Sequence, residues 1–102
     1  MAFKNGMRPV HPGEVLRKDY LKPLDLSVNA LAERLGIPTS RLNDVVLERR
    51  RVTPETAMRL ARYFGGDARS WLNQQTAHDL RVAEIANTKE IERKVEPMQK
   101  PG

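Results

Sequence analysis

Between Val28 and Val45 the order of small and apolar residues predicts two short helices that cross at a tight turn. Leu31 and Ala32 are followed by Leu35, Gly36 and Ile37, and then by Leu42 and Val45. Ala32 is small where the first helix must let the second cross closely. Gly36 falls just past the last apolar residue of the first helix, where a left-handed cap favours a residue without Cβ. Ile37 plugs the corner, and Leu42 and Val45 pin the second helix from beneath. The outer face of that second helix is left free, as in a helix-turn-helix that enters a DNA major groove. The bland alternative is two ordinary packed helices with a glycine between them, and the neighbouring sequence argues against it.

The chain has 102 residues and 39% apolar content, enough for one small domain with a compact core. Five aromatic residues and seven prolines argue against a large sheet or a deep ligand cavity. Cysteine is absent, so there is no disulfide framework and no thiolate zinc site, which fits a reducing compartment. The opening residues Met1 to Gly6 contain no apolar stretch of signal-peptide length. No window approaches the roughly 18 apolar residues of a membrane span. The expected location is the cytoplasm, with no membrane partner.

Charge is distributed unevenly. Residues 1–66 hold twelve Lys/Arg and seven Asp/Glu, while residues 67–102 hold six of each. The whole formal charge of +5 therefore lies in the half that carries the two crossing helices. Phosphates are the natural partner of such a half, because releasing condensed counterions drives binding.

Along the chain, residues 1–10 read as a loose arm containing Gly6 and Pro9. Pro12 suits a first helical turn, with Glu14 near the positive end of the dipole, and helix 1 is expected from about 12 to 21. Lys22-Pro23 ends it. Ser27 is an N-cap for helix 2, Val28 to Leu35. Helix 3 starts at Pro38 and extends to about Leu47, and Arg49-Arg50-Arg51 forms a short loop. Thr53-Pro54 opens helix 4, which stops at Gly65-Gly66. Asp67 caps helix 5, with Trp71, Leu72 and Gln75 on one side, reaching Leu80 or Ile85. The segment from Glu84 to Val95 reads either as its continuation or as a short sixth helix. The fold class is all-α, a five- to six-helix bundle.

Wound at about 100° per residue, helix 3 buries Leu42, Val45 and Val46. Opposite them come Ser40, Asn43, Asp44 and Leu47, with Thr39 at the open N-terminus and Arg41 on the flank. Asn pairs with adenine and Arg with guanine in bidentate fashion, and Thr39 and Ser40 suit a phosphate, a base edge or a thymine methyl. Thr39, Ser40, Arg41, Asn43 and Asp44 are therefore the candidate base-reading residues. Asp44 repels phosphates, so its expected role is to orient Arg41 or a loop arginine, or to accept from a cytosine amino group. Arg49, Arg50 and Arg51 are candidates to clamp the DNA backbone, as are Ser27 and Asn29 at the start of helix 2. Arg59 and Arg62 read as solvated helix charges or as further phosphate contacts.

Catalysis finds little support. His11 and His78 have no second histidine at ligand spacing, and Gly65-Gly66 terminates a helix rather than cradling a nucleotide. His11 reads as a helix-start residue and His78 as a packing or capping residue. No cofactor and no metal is expected.

Four separated motifs carry a family resemblance. Met7-Arg8-Pro9-Val10-His11-Pro12-Gly13-Glu14-Val15-Leu16 resembles the opening of the HigA-type antitoxins, also described as virulence-associated protein I-like regulators. So do Ala61-Arg62-Tyr63-Phe64-Gly65, Trp71-Leu72-Asn73-Gln74-Gln75 and His78-Asp79-Leu80. That family belongs to the phage-repressor-like (XRE, Cro/CI) helix-turn-helix class, which implies a lambda-repressor-like arrangement. Pro38 stands where the family often has serine or threonine, and His78 where tyrosine is common. The resemblance implies a dimeric repressor of its own operon that also neutralises a HigB-type toxin, a small ribosome-dependent mRNA endonuclease.

A dimer is compatible with the residues. Trp71, Leu72, Leu80, Val82, Ile85, Ile91 and Val95 offer more apolar surface than a final element hides within one domain. The expected interface residues are Trp71, Leu72, Leu80, Ile85 and Ile91. A two-fold dimer would set two copies of helix 3 about 34 Å apart and read a pseudo-palindromic operator in double-stranded DNA. The expected organisation is an arm over 1–10, a DNA-binding domain over 11–66, a dimerising helical extension over 67–96 and a disordered tail over 97–102. The alternative is a plain regulator of the same fold without a toxin, and more remotely a protein-interaction module.

Overall fold

The computed structural model describes residues 8–99, so most of the expected arm and residues 100–102 of the tail lie outside the described residues. Helix α1 (Pro12–Val15) runs straight into a π-helical segment (Leu16–Leu21). Four further helices follow, α2 (Val28–Leu35), α3 (Thr39–Val46), α4 (Pro54–Phe64) and α5 (Ala68–Lys94), and the described residues form no strand.

Polar side chains start four of these helices. His11 Nδ1 accepts from the Gly13 amide at 2.8 Å, and Ser27 Oγ from the Ala30 amide at 3.0 Å. Thr53 and Asp67 do the same for Thr56 and Ser70 at the heads of α4 and α5. Each cap satisfies an amide that has no partner inside its own helix. Helix α3 is the exception, because Pro38 at its cap brings no side-chain bond.

The first three helical segments end in the same way. Asp25, Gly36 and Glu48 take left-handed conformations with φ of 51°, 71° and 66°. After each, the next amide reaches back to a carbonyl five residues earlier: Leu26 to Leu21, Ile37 to Ala32, and Arg49 to Asp44. This double-bonded reversal satisfies the orphan carbonyls and turns the chain sharply. Glycine was the expected residue at position 36. Asp25 and Glu48 carry the same geometry with a Cβ, at a cost of about 1–2 kcal/mol each.

The core is one cluster. Leu16, Leu31, Ala32, Leu42, Ala57 and Leu60 are fully buried, with Val45 and Val52 beside them. Gly13 belongs to the same junction: a Cβ there would stand 2.0 Å from the Val45 carbonyl oxygen. Helix α1 thus lies directly on the backbone of α3, and only glycine permits that approach. Trp71 is 8% exposed and stacks 5.4 Å from Tyr20, which in turn meets Phe64 at 4.6 Å. The expectation that Trp71 forms part of a dimer surface is therefore corrected, since its indole is consumed by the monomer core. Leu72 is half-buried and also packs against that core.

Helix α5 runs unbroken for 27 residues, so the segment from Glu84 onward continues it rather than forming a sixth helix. No glycine or proline interrupts it. Asn87 and Thr88, its weaker helix formers, bond back to the Ala83 and Glu84 carbonyls at 2.9 and 2.7 Å. From Val82 to its end the helix is exposed, projecting beyond the core in a molecule 59 Å long and 24 Å wide.

Candidate nucleic-acid interface

Helix α3 presents the face expected from its sequence. Leu42, Val45 and Val46 are buried; Thr39 and Ser40 are exposed, and Arg41, Asn43 and Asp44 are half-buried. Leu47 is 49% exposed and sits just past the last helical residue, which explains an apolar residue on this side. Without a side-chain cap at Pro38, the Thr39 and Ser40 amides stand at the positive end of the helix dipole, while the Arg41 amide donates to the Pro38 carbonyl at 3.1 Å.

The two short helices bring their N-termini together. Thr39 Oγ1 donates to Asn29 Oδ1 at 2.8 Å, joining a candidate base reader to a candidate phosphate contact. Ser27 accepts an amide in capping α2, which leaves its hydroxyl proton free to donate. Asp44 stands 3.6 Å from Arg49 Nε and 3.8 Å from Arg50 Nη2, so it orients the loop arginines rather than Arg41. Arg41 instead faces Glu55 of α4, at 3.8 Å.

Arg51 does not share the position of its two neighbours. Its guanidinium binds Asp79 of α5, beside Gln75, which accepts from the Val52 amide at 2.8 Å and donates to Asp79 at 2.9 Å. Burial works against the Asp79 charge, but hydrogen bonds from Arg51, Gln75 and His78 outweigh it and hold its pKa below the ordinary value. Arg51 thus ties the loop after α3 to α5. Of the three arginines expected to clamp the DNA backbone, Arg49 and Arg50 stay together beside Asp44.

Two arginines lock the helix pair: Arg17, which the sequence did not single out, and Arg59, which it offered only as a solvated charge or phosphate contact. Arg17 donates to the Val46 carbonyl at the end of α3 at 2.6 Å and reaches Glu48 at 3.4 Å. Arg59 donates to the Leu35 carbonyl at the end of α2 at 2.7 Å, so its role is to cap a helix rather than to meet phosphate. Each arginine brings positive charge to the negative end of a helix dipole. Neither capping role was legible, because each acts across a sequence gap of more than twenty residues.

The arm and first helix form a polar cluster of their own. Arg8 grips Glu14 through two bonds, at 2.9 and 2.6 Å, and Lys18 adds a third at 3.2 Å. These partners hold the Glu14 carboxyl down to about 2. His11 is 4% exposed and meets His78 edge-on at 4.8 Å. Burial and the nearby His78 push its pKa down, against the weaker pull of Glu48 and Asp79. Both histidines therefore serve packing and capping. The described residues contain no metal-binding cluster and no helix long and apolar enough to cross a membrane.

Known proteins share this arrangement. A family model described as helix-turn-helix (HTH_3) matches residues 18–71. Virulence-associated protein I of Dichelobacter nodosus is 59% identical over 83 residues, 81% of this chain and 77% of that protein. The chain belongs to the helix-turn-helix family that includes virulence-associated protein I and the HigA-type antitoxins. The antitoxin HigA of Pseudomonas aeruginosa, solved with the higBA promoter, superposes with a TM-score of 0.87 at 42% identity, covering 90% of this chain and all of that one. The antitoxin GraA in complex with its operator gives a TM-score of 0.88 at 41% identity, covering 97% of this chain and all of that one. Both are bound to DNA, and the fold they share with this chain includes the exposed α3.

Proposed function

We infer that this chain is the antitoxin of a type II toxin-antitoxin system, a sequence-specific DNA-binding repressor of its own operon that neutralises a HigB-type toxin by direct binding. The observation that carries the reading is the exposed polar face of α3, on a fold matching antitoxins solved with promoter and operator DNA. Arg41 and Asn43 are the principal base readers, with Thr39 and Ser40 at the helix start. Arg49, Arg50, Ser27, Asn29 and the Thr39 and Ser40 amides hold the backbone, which fixes register without reading sequence. Its place of action is the cytoplasm, where the operator is.

Homodimerisation through α5 completes the reading. Leu80 is 57%, Ile85 62% and Ile91 54% exposed. At about 100° per residue, Leu80, Ile91 and Val95 fall within about 60° of one another, while Ile85 and Val82 lie on another side. The first group forms the better stripe for a second copy of α5. A two-fold pair places two α3 helices about 34 Å apart on a pseudo-palindromic operator.

Co-expression with the product of the neighbouring small reading frame tests the toxin half. Growth rescue with a co-purifying complex is expected. Unrelieved growth arrest, or no arrest by that product at all, would leave a plain repressor of the same fold.

A further inference from the structure

Glu55, in the first turn of α4, hydrogen-bonds one arginine and lies at ion-pair distance from a second. Its Oε1 lies 3.8 Å from Arg41 Nη1, and its Oε2 accepts from Arg59 Nη2 at 3.1 Å. Arg59 is itself fixed, because its Nη1 donates to the Leu35 carbonyl at 2.7 Å and its Nε is buried. A chain of contacts therefore runs from the end of α2 through Arg59 and Glu55 to the flank of α3. It ends on the only arginine that α3 carries.

We propose that Glu55 is a positioning residue for operator recognition, holding Arg41 toward base edges and penalising its use as a general phosphate contact. The proposal rests on the reading of Arg41 as a base contact. An unrestrained arginine at this place falls on the nearest phosphate, which strengthens binding to every sequence alike. A carboxylate held on α4 at 3.8 Å competes electrostatically with phosphate for the same guanidinium charge. It also sets a fixed negative charge beside the DNA path, a cost that only a correct base contact offsets. Holding the side chain in advance reduces the freedom Arg41 loses when it meets a guanine.

The pair is too exposed to matter much for folding, with Arg41 and Glu55 side chains 37% and 63% accessible. Its effect belongs in discrimination. No other acidic side chain pairs with Arg41 among the described residues, since Asp44 is taken up by Arg49 and Arg50.

The test uses Glu55→Gln, Glu55→Asp, Arg41→Ala and the Glu55→Gln/Arg41→Ala pair. Each is titrated against a duplex of the chain's own promoter and a random duplex of equal length, across a salt series. Glu55→Gln should tighten random DNA several-fold, steepen its salt slope by about one unit and lower the promoter-to-random ratio about tenfold. Its melting temperature should stay at wild type, Glu55→Asp should retain most of the ratio, and the effect should vanish in the Arg41→Ala background. Full discrimination in Glu55→Gln would overturn the proposal. So would a loss of ratio that persists without Arg41, or a lowered melting temperature in both Glu55 variants. Equal weakening of promoter and random DNA by Arg41→Ala would instead overturn the base-contact reading itself. Selective weakening by Arg41→Ala with a silent Glu55→Gln overturns the positioning role alone.

Discussion

The guanidinium of Arg17 donates to the carbonyl oxygen of Val46 at 2.6 Å, so the first helical segment closes the last turn of α3. Sequence neighbours cannot make that bond. Glu48, two residues past the end of α3, is held in the left-handed region while its carboxylate meets the same arginine. Arg17→Ala should therefore cost about 1–3 kcal/mol in chemical denaturation, the range for a hydrogen bond from a charged donor. It should also weaken promoter binding, because the loop carrying Arg49 and Arg50 loses its anchor. Wild-type stability would show that the cap contributes nothing.

Close backbone approach gives a second expectation. Gly13→Ala forces a Cβ against the Val45 carbonyl and should cost about 3 kcal/mol or more, since neither helix can shift without disturbing the core. Gly36→Ala would bring a Cβ within 3.2 Å of the Arg59 Nη1 that bonds the Leu35 carbonyl, a milder contact than at Gly13, so its main cost is the left-handed backbone, about 1–2 kcal/mol. Equilibrium unfolding of the two variants should rank them in that order. The reverse order would place the tightest crossing at the turn.

What the sequence showed and what it hid divide by range. Pro12, Ser27, Thr53-Pro54 and Asp67 mark helix starts through local chemistry, and each proved to be one. Gly36 marked the turn for the same reason. The buried stripe Leu42, Val45 and Val46 followed from periodicity. Arg17 and Glu55 were illegible as site residues, and Arg59 read only as a solvated charge or phosphate contact, because their partners lie on other helices and charge at helical spacing looks like a solvated face. Arg51 misled through adjacency: three consecutive arginines read as one clamp, yet the third is bound to Asp79. Trp71 misled through amphipathicity, since an apolar side of α5 says nothing about which half meets the monomer core.

That division of α5 is itself testable. Trp71→Ala should cost about 3–5 kcal/mol of stability, as for a large core aromatic, while leaving the folded protein's oligomeric state unchanged. Leu80→Asp should do the opposite, leaving the fold near wild type and giving a monomer by light scattering. Ile85→Asp, on another side of the helix, should disturb the dimer less. A dimeric Leu80→Asp protein would move the interface elsewhere.

Acid should destabilise the chain first through His11. Its pKa is lowered on folding, so the unfolded state binds the proton more tightly. The stability it contributes is complete above the unfolded value near 6.5 and is lost as pH falls from there toward the folded value. Glu14 acts later, losing its contribution between its ordinary 4.5 and about 2. Melting temperature should therefore decline as pH falls below about 6.5, and His11→Asn should flatten that decline while keeping a cap acceptor. An unchanged slope in His11→Asn would assign the acid response to other groups.

The measurement that bears most directly on the function is the affinity of Asn43→Ala for the chain's own promoter duplex and for a random duplex of equal length. Asn43 lies on the outer face of α3, and its amide matches the paired donor and acceptor of an adenine. The expected result is a loss of about 1–3 kcal/mol on the promoter with random DNA unaffected. Equal losses on both duplexes, or none on either, would contradict a recognition helix that reads sequence through this face.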